Sequence, residues 1–110
     1  MSYKILVTDG FKKQAKSIAK KHRSLKSDLE KLITSLKENP LQGEPLGKDC
    51  YKVRMAITSK GKGKSGGSRV ITCVKVVNQT AYLLTIYDKS EKESISDKEL
   101  DELLHLAGLL

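Results

Sequence analysis

The sequence predicts a single α+β domain in the order β-α-α-β-β-β-α, with a helical hairpin packed on one face of a small, mainly antiparallel sheet. Apolar residues recur at helical spacing through the first third of the chain, at alternating spacing through the middle, and at helical spacing again near the end. The chain has 110 residues, which suits one domain over 1–110 with one modest core. Hydrophobic residues make up 38% and charged residues 31%, a globular balance rather than a disordered one.

Residues 3–8 are β-rich and bounded by Asp9-Gly10, which marks a first strand. Phe11, Ala15, Ile18, Ala19 and His22 then share one helical stripe, and Leu25, Leu29, Leu32, Ile33 and Leu36 share another. The stripes fall out of phase across His22-Arg23-Ser24. Two helices are therefore expected, with Ser24 as N-cap of the second. Asn39-Pro40 stops that helix, and a loop is expected through Gly43, Pro45 and Gly47. In the next strand Tyr51, Val53, Met55 and Ile57 point one way, and Lys52, Arg54, Ala56 and Thr58 the other. Residues 59–67 are a Gly/Lys/Ser loop without an apolar side chain. Strands are expected over 68–77 and 81–87, joined by a short turn. Ser96-Asp97-Lys98-Glu99 is a capping box that opens a terminal helix carrying Leu100, Leu103, Leu104 and Ala107. With the helices on one sheet face, the opposite face is expected to be free for function.

Lys plus Arg number 21 against 13 for Asp plus Glu, a formal net charge of +8. The excess is concentrated. Between residues 48 and 69, seven cations face Asp49 alone, whereas the chain after residue 87 is acidic. A dense basic block suits a polyphosphate partner, because neutralising phosphates releases counterions. A solubilising surface is the plainer alternative. No apolar run is long enough for a secretory signal or a membrane helix, so a cytoplasmic protein with no membrane partner is expected. Two cysteines and two histidines are too few for a disulfide framework or a Cys/His zinc module. Cys50 and Cys73 are expected as buried thiols, His22 and His105 as packing or helix-end residues. Gly63-Lys64-Ser65 resembles the end of a phosphate-binding loop, but Thr58 stands where that motif needs glycine. No metal or cofactor is implied.

Lys52 and Arg54 share a strand face, and Arg69 begins the next strand, so a hairpin brings the three together. Three clustered cations repel one another and no core requires them, whereas a polyanion accounts for them. Tyr87 and Lys89 end the last strand within reach of the same face. Such a cluster suits RNA cleavage through the 2′-hydroxyl. Cations stabilise charge on the scissile phosphate, and a Lys or Tyr moves a proton. A basic binding patch without chemistry is the alternative.

Three stretches resemble the RelE/ParE toxin superfamily, in particular its HigB-like and RelE-like mRNA interferases. They are Tyr51-Lys52-Val53-Arg54, the run from Lys60 through Ser68-Arg69-Val70-Ile71, and Tyr82-Leu83-Leu84-Thr85-Ile86-Tyr87-Asp88-Lys89-Ser90-Glu91. The element order is also that of the family, so the likeness spans essentially the whole chain. The resemblance implies a toxin of a type II toxin–antitoxin module. Such a toxin is an endoribonuclease that cuts mRNA in the ribosomal A site by metal-free attack of the 2′-hydroxyl. Its partners would be mRNA on the ribosome, ribosomal RNA and a cognate antitoxin. Carried over residue by residue, Lys52 is the proton acceptor, Arg54 a phosphate clamp and Arg69 a transition-state stabiliser. Lys89 falls where relatives place an arginine, and it keeps the charge without the bidentate fork. Relatives place a tyrosine near Ile95. Tyr87 is the substitute, in stacking or proton transfer, unless its strand parity buries it. Lys48, Lys60, Lys62 and Lys64 are the expected RNA-binding residues. Two other readings stay open: a ParE-like inhibitor of DNA gyrase, and a relative that binds ribosomes or RNA without cutting. Arg69 is expected to be exposed, so that Arg69→Ala spares the fold.

Overall fold

The computed structural model describes residues 2–110. Strand β1 (Lys4–Val7) leads into helices α1 (Asp9–Lys21) and α2 (Leu25–Glu38). Four strands follow: β2 (Glu44–Gly47), β3 (Cys50–Met55), β4 (Ser68–Lys75) and β5 (Thr80–Asp88). A single 3-10 turn, Thr58–Lys60, lies between β3 and β4, and helix α3 (Asp97–Leu106) closes the chain. The sheet order is β1-β5-β4-β3-β2. Only β1, against β5, runs parallel to its neighbour.

The α+β class and the helical hairpin stand as expected. Phe11, Ile18, Leu25, Leu32 and Leu36 of the hairpin pack on Val53, Met55, Val70, Leu83 and Ile86 of the sheet. The alternation along β3 therefore sorts as read, with Tyr51, Val53 and Met55 toward the hairpin. Thr8 caps α1, accepting from the Phe11 N–H at 3.2 Å. The Ser96–Glu99 capping box opens α3.

Four features differ from the sequence reading. Residues 44–47, read as loop, form edge strand β2. Proline is tolerated at an edge because no ladder donor is needed there. Ser24 precedes α2 but makes no capping bond; its hydroxyl donates to Asp28 at 2.8 Å. Strand β4 ends at Lys75, and the turn that follows leaves Val77 fully exposed. Finally, the face opposite the hairpin is not wholly free. Helix α3 lies on it, with Leu100 and Leu104 packed on Cys50, Ile71, Cys73, Leu84 and Tyr87. A bulge beside Ile71 and Thr72 leaves Leu84 without a ladder partner and lets it join Thr85 on the α3 side. The end of this face beyond α3 stays open, as does its β1 edge, where Lys4 and Leu6 are exposed.

Candidate functional site

The open end is built from three neighbouring strands. Arg54 of β3 stands directly opposite Arg69 of β4, which stands opposite Tyr87 of β5. One row across the sheet thus holds two guanidiniums and a phenol, at the ordinary strand spacing of about 4.8 Å. Lys52 lies two residues from Arg54 on the same face, its ammonium 3.7 Å from the Glu44 carboxylate on β2. Gln42, Gly43, Glu44, Lys52, Val53, Arg54 and Lys64 line a groove of about 450 Å³ beside the row.

Arg69 is the unusual member. It is only 3% exposed, so the sequence expectation of an exposed cation is corrected: loop 61–67 folds over it. Its Nη1 donates to the carbonyls of Lys64 and Ser68, both at 2.9 Å. Among the described residues, no carboxylate lies within ion-pair distance of Arg69 or Arg54. A buried cation without a counterion is costly, and cost of that kind is a mark of a site that takes an anion.

The loop is held by two carboxylates that sequence reasoning missed. Asp28 on α2 accepts from the Thr58 N–H and hydroxyl and from Ser24. Burial pushes its carboxyl up, but the Thr58 and Ser24 donors outweigh it and leave it below the ordinary value. Asp88, at the end of β5, is 5% exposed. It accepts from the Lys60 ammonium at 2.9 Å and from the Ser90 N–H and hydroxyl, and His22 Nε2 stands 3.4 Å away. Burial again pushes the carboxyl up, and the Lys60 and Ser90 donors overcome it, lowering Asp88 to about 2. Gly67 returns the loop to the sheet, where a Cβ would clash with the Met55 carbonyl. No sequence signal marked either carboxylate, since Asp28 lies in a helix stripe and Asp88 at a strand end.

Two of the lysines expected to contact RNA are paired within the chain. The Lys60 side chain is 9% exposed and spent on Asp88, so it anchors the loop rather than projecting from it. Lys48 sits in the β2–β3 turn and pairs with Asp101 of α3. Cys50, where β3 begins, is four residues and about 13 Å from Arg54, and Lys48 lies beyond it in the turn. Lys62 and Lys64 are exposed on the loop, and Lys89 is exposed just past β5. Tyr87 has the parity to join Arg69, but the segment leading into α3 covers it. Its hydroxyl is buried without a hydrogen-bond partner. Burial raises the phenol above its ordinary value, and the Arg69 charge opposes that in part. The Lys92 ammonium stands 5.7 Å from the ring centroid. Ile95 packs in the same apolar cluster. Among the described residues, no group of three or more His, Cys, Asp or Glu side chains is placed to hold a metal ion. No helix among them is long and apolar enough to cross a membrane.

This combination defines a small α+β protein with a cluster of cations at one end of its sheet. A family model described as the RelE toxin of the RelE/RelB toxin–antitoxin system matches residues 3–110. The chain belongs to the RelE toxin family. Its fold is similar to that of isolated Escherichia coli RelE toxin, with a TM-score of 0.62 at 15% identity, covering 96% of this chain and 99% of that one. A double arginine-to-alanine variant of E. coli RelE in the free state gives 0.61 at 18% identity, covering 84% and 90%. A chain of a RelBE toxin–antitoxin complex from Mycobacterium tuberculosis gives 0.60 at 16% identity, covering 80% and 99%.

Proposed function

We propose that this toxin is a ribosome-dependent endoribonuclease that cuts mRNA in the A site, and that a cognate antitoxin restrains it. The observation that carries the reading is the buried Arg69 guanidinium, which lacks a counterion and stands beside exposed Arg54 and half-buried Lys52. A scissile phosphate supplies the missing anion. Arg69 Nη1 is occupied by two carbonyls, which leaves its Nε and Nη2 hydrogens for a phosphate oxygen. Arg54 approaches from the solvent side. Charge that builds on the phosphate in the transition state then meets two fixed cations.

In the reaction, O2′ of the ribose forms a bond to phosphorus and the bond to O5′ of the next nucleotide breaks. Lys52 is the acceptor of the 2′-hydroxyl proton, and a proton is delivered to the leaving O5′. Lys89 is the exposed donor at the rim. Tyr87 serves only if the segment over its hydroxyl moves aside. Lys62 and Lys64 hold ribosomal or messenger RNA through phosphate contacts that carry no sequence information. The antitoxin opposes this basic end with complementary potential.

A second reading, binding without cleavage, draws on the sealed Tyr87 hydroxyl. The two separate on the chemistry of the product ends. Translating ribosomes treated with the purified toxin should release mRNA fragments ending in 2′,3′-cyclic phosphate and beginning with 5′-hydroxyl. Ribosome binding with intact mRNA would leave the binding reading alone.

A further inference from the structure

At the covered end of the same face, Cys50 of β3 stands directly opposite Cys73 of β4. The Val74 N–H donates to the Asp49 carbonyl at 2.8 Å, the bond that flanks a pair not itself hydrogen-bonded. Such pairs bring their Cα atoms to about 4.5 Å and their side chains closest together. A disulfide spans Cα separations of about 4.4–6.8 Å, so closing one here requires no large backbone movement. The two thiols also converge. Both Sγ atoms point at the Lys48 carbonyl, at 3.4 and 3.9 Å. Both cysteines are free.

We infer that Cys50 and Cys73 form a reversible dithiol–disulfide couple, closed by a hydroperoxide and gated by helix α3. This site is independent of the nuclease reading. The two thiols behave unequally. The Cys50 thiol beside it pulls Cys73 below the ordinary thiol value, and Cys73 in turn raises Cys50. Cys50 Sγ also stands nearer the Lys48 carbonyl that accepts its proton, so Cys50 keeps its proton and Cys73 is the attacking sulfur. Its thiolate bonds to one peroxide oxygen, the O–O bond breaks and hydroxide leaves, giving a sulfenic acid. Cys50 sulfur then attacks Cys73 sulfur. The S–S bond forms, the S–O bond breaks, and the departing hydroxyl and the Cys50 proton complete water. Two thiols lose two electrons, the peroxide gains them, and the hydroxide takes up the proton that Cys73 had released.

Access is the gate. Both cysteines are buried under Leu100 and Leu104. Helix α3 is tied to the adjoining turn by the Lys48–Asp101 pair. Local opening of such a terminal element admits small oxidants without global unfolding. Closing the bond staples β3 to β4 two residues from Lys52.

The test is intact-mass and peptide analysis of the whole protein after brief hydrogen peroxide treatment, with acid quench and alkylation in denaturant. The wild type should lose two hydrogens, yield a Cys50–Cys73 linked peptide and return to two thiols with dithiothreitol. Cys50→Ser should instead trap a sulfenic acid on Cys73. Leu104→Ala should speed closure by roughly tenfold or more, and Asp101→Ala should act in the same direction without removing core atoms. Two unlinked thiols in the wild type and in both opened variants would overturn the inference. So would separate over-oxidation of each cysteine, or links only between chains.

Discussion

The two ends of one sheet face, drawn from β3, β4 and β5, differ in what covers them. At the Arg54–Arg69 end the cover is a loop held by the Lys64 carbonyl and two buried carboxylates, and the two guanidiniums are left without counterions. At the Cys50–Cys73 end the cover is the apolar face of α3, and Lys48 is paired off with Asp101. Along β3 the side chains alternate in the same way throughout. What separates the two ends is the segment laid over each one. At the Arg54–Arg69 end the cover brings polar groups without bringing charge neutrality.

Four tests sharpen or break that contrast. The largest effect should come from Lys60→Met. Buried Asp88 then loses its ammonium, which costs about 3–5 kcal/mol, read as a fall in Tm of more than about 10 °C. An unchanged Tm would mean that Lys60 belongs with the solvent-facing lysines after all. Arg69→Ala should lower cleavage by about 10²–10³-fold, as loss of one transition-state donor does. Because it deletes a buried cation with no counterion, its Tm should hold or rise. A marked fall would assign Arg69 to the fold instead.

Acid supplies the third. Asp88 sits at about 2 when folded, against an ordinary carboxyl near 4 when unfolded. A depressed folded value means that its contribution, about 2 kcal/mol, is complete above pH 4 and disappears as pH falls through 2. The stability gap between wild type and Asp88→Asn, followed by denaturant titration, should therefore narrow across that window. A constant gap would place the loss elsewhere. The smallest effects belong to Lys62→Ala and Lys64→Ala. Each should leave Tm unchanged and reduce the salt slope of ribosome binding by roughly 0.7–0.9, one phosphate contact apiece. No change in slope would remove the loop from the RNA interface.

The sequence carried the strand alternation and both hairpin stripes because each is a local pattern. It carried the Lys52, Arg54 and Arg69 grouping because period two and one hairpin suffice to assemble it. Strand β2 was hidden by Pro45 and Gly47, which read as loop and are tolerated only because the strand lies at an edge. The placement of α3 was not legible. An amphipathic stripe of Leu100, Leu103 and Leu104 demands a partner but does not say which sheet face provides it. Lys60, Lys62 and Lys64 are equivalent in a Lys-Gly-Lys-Gly-Lys run. Only Asp88, distant in sequence, singles out the first. Burial of Arg69 likewise comes from the loop carbonyls, which no periodicity announces.

The measurement that bears most directly on the Arg69 end is primer extension on mRNA from cells after brief induction of this toxin, with Arg69→Ala induced alongside at equal level. Cuts inside translated codons with wild type, absent or reduced at least a hundredfold with the variant, are the expected result. Equal cutting by the two proteins would contradict the assignment of the phosphate to Arg69. Growth arrest by the wild type without any cuts would contradict cleavage itself.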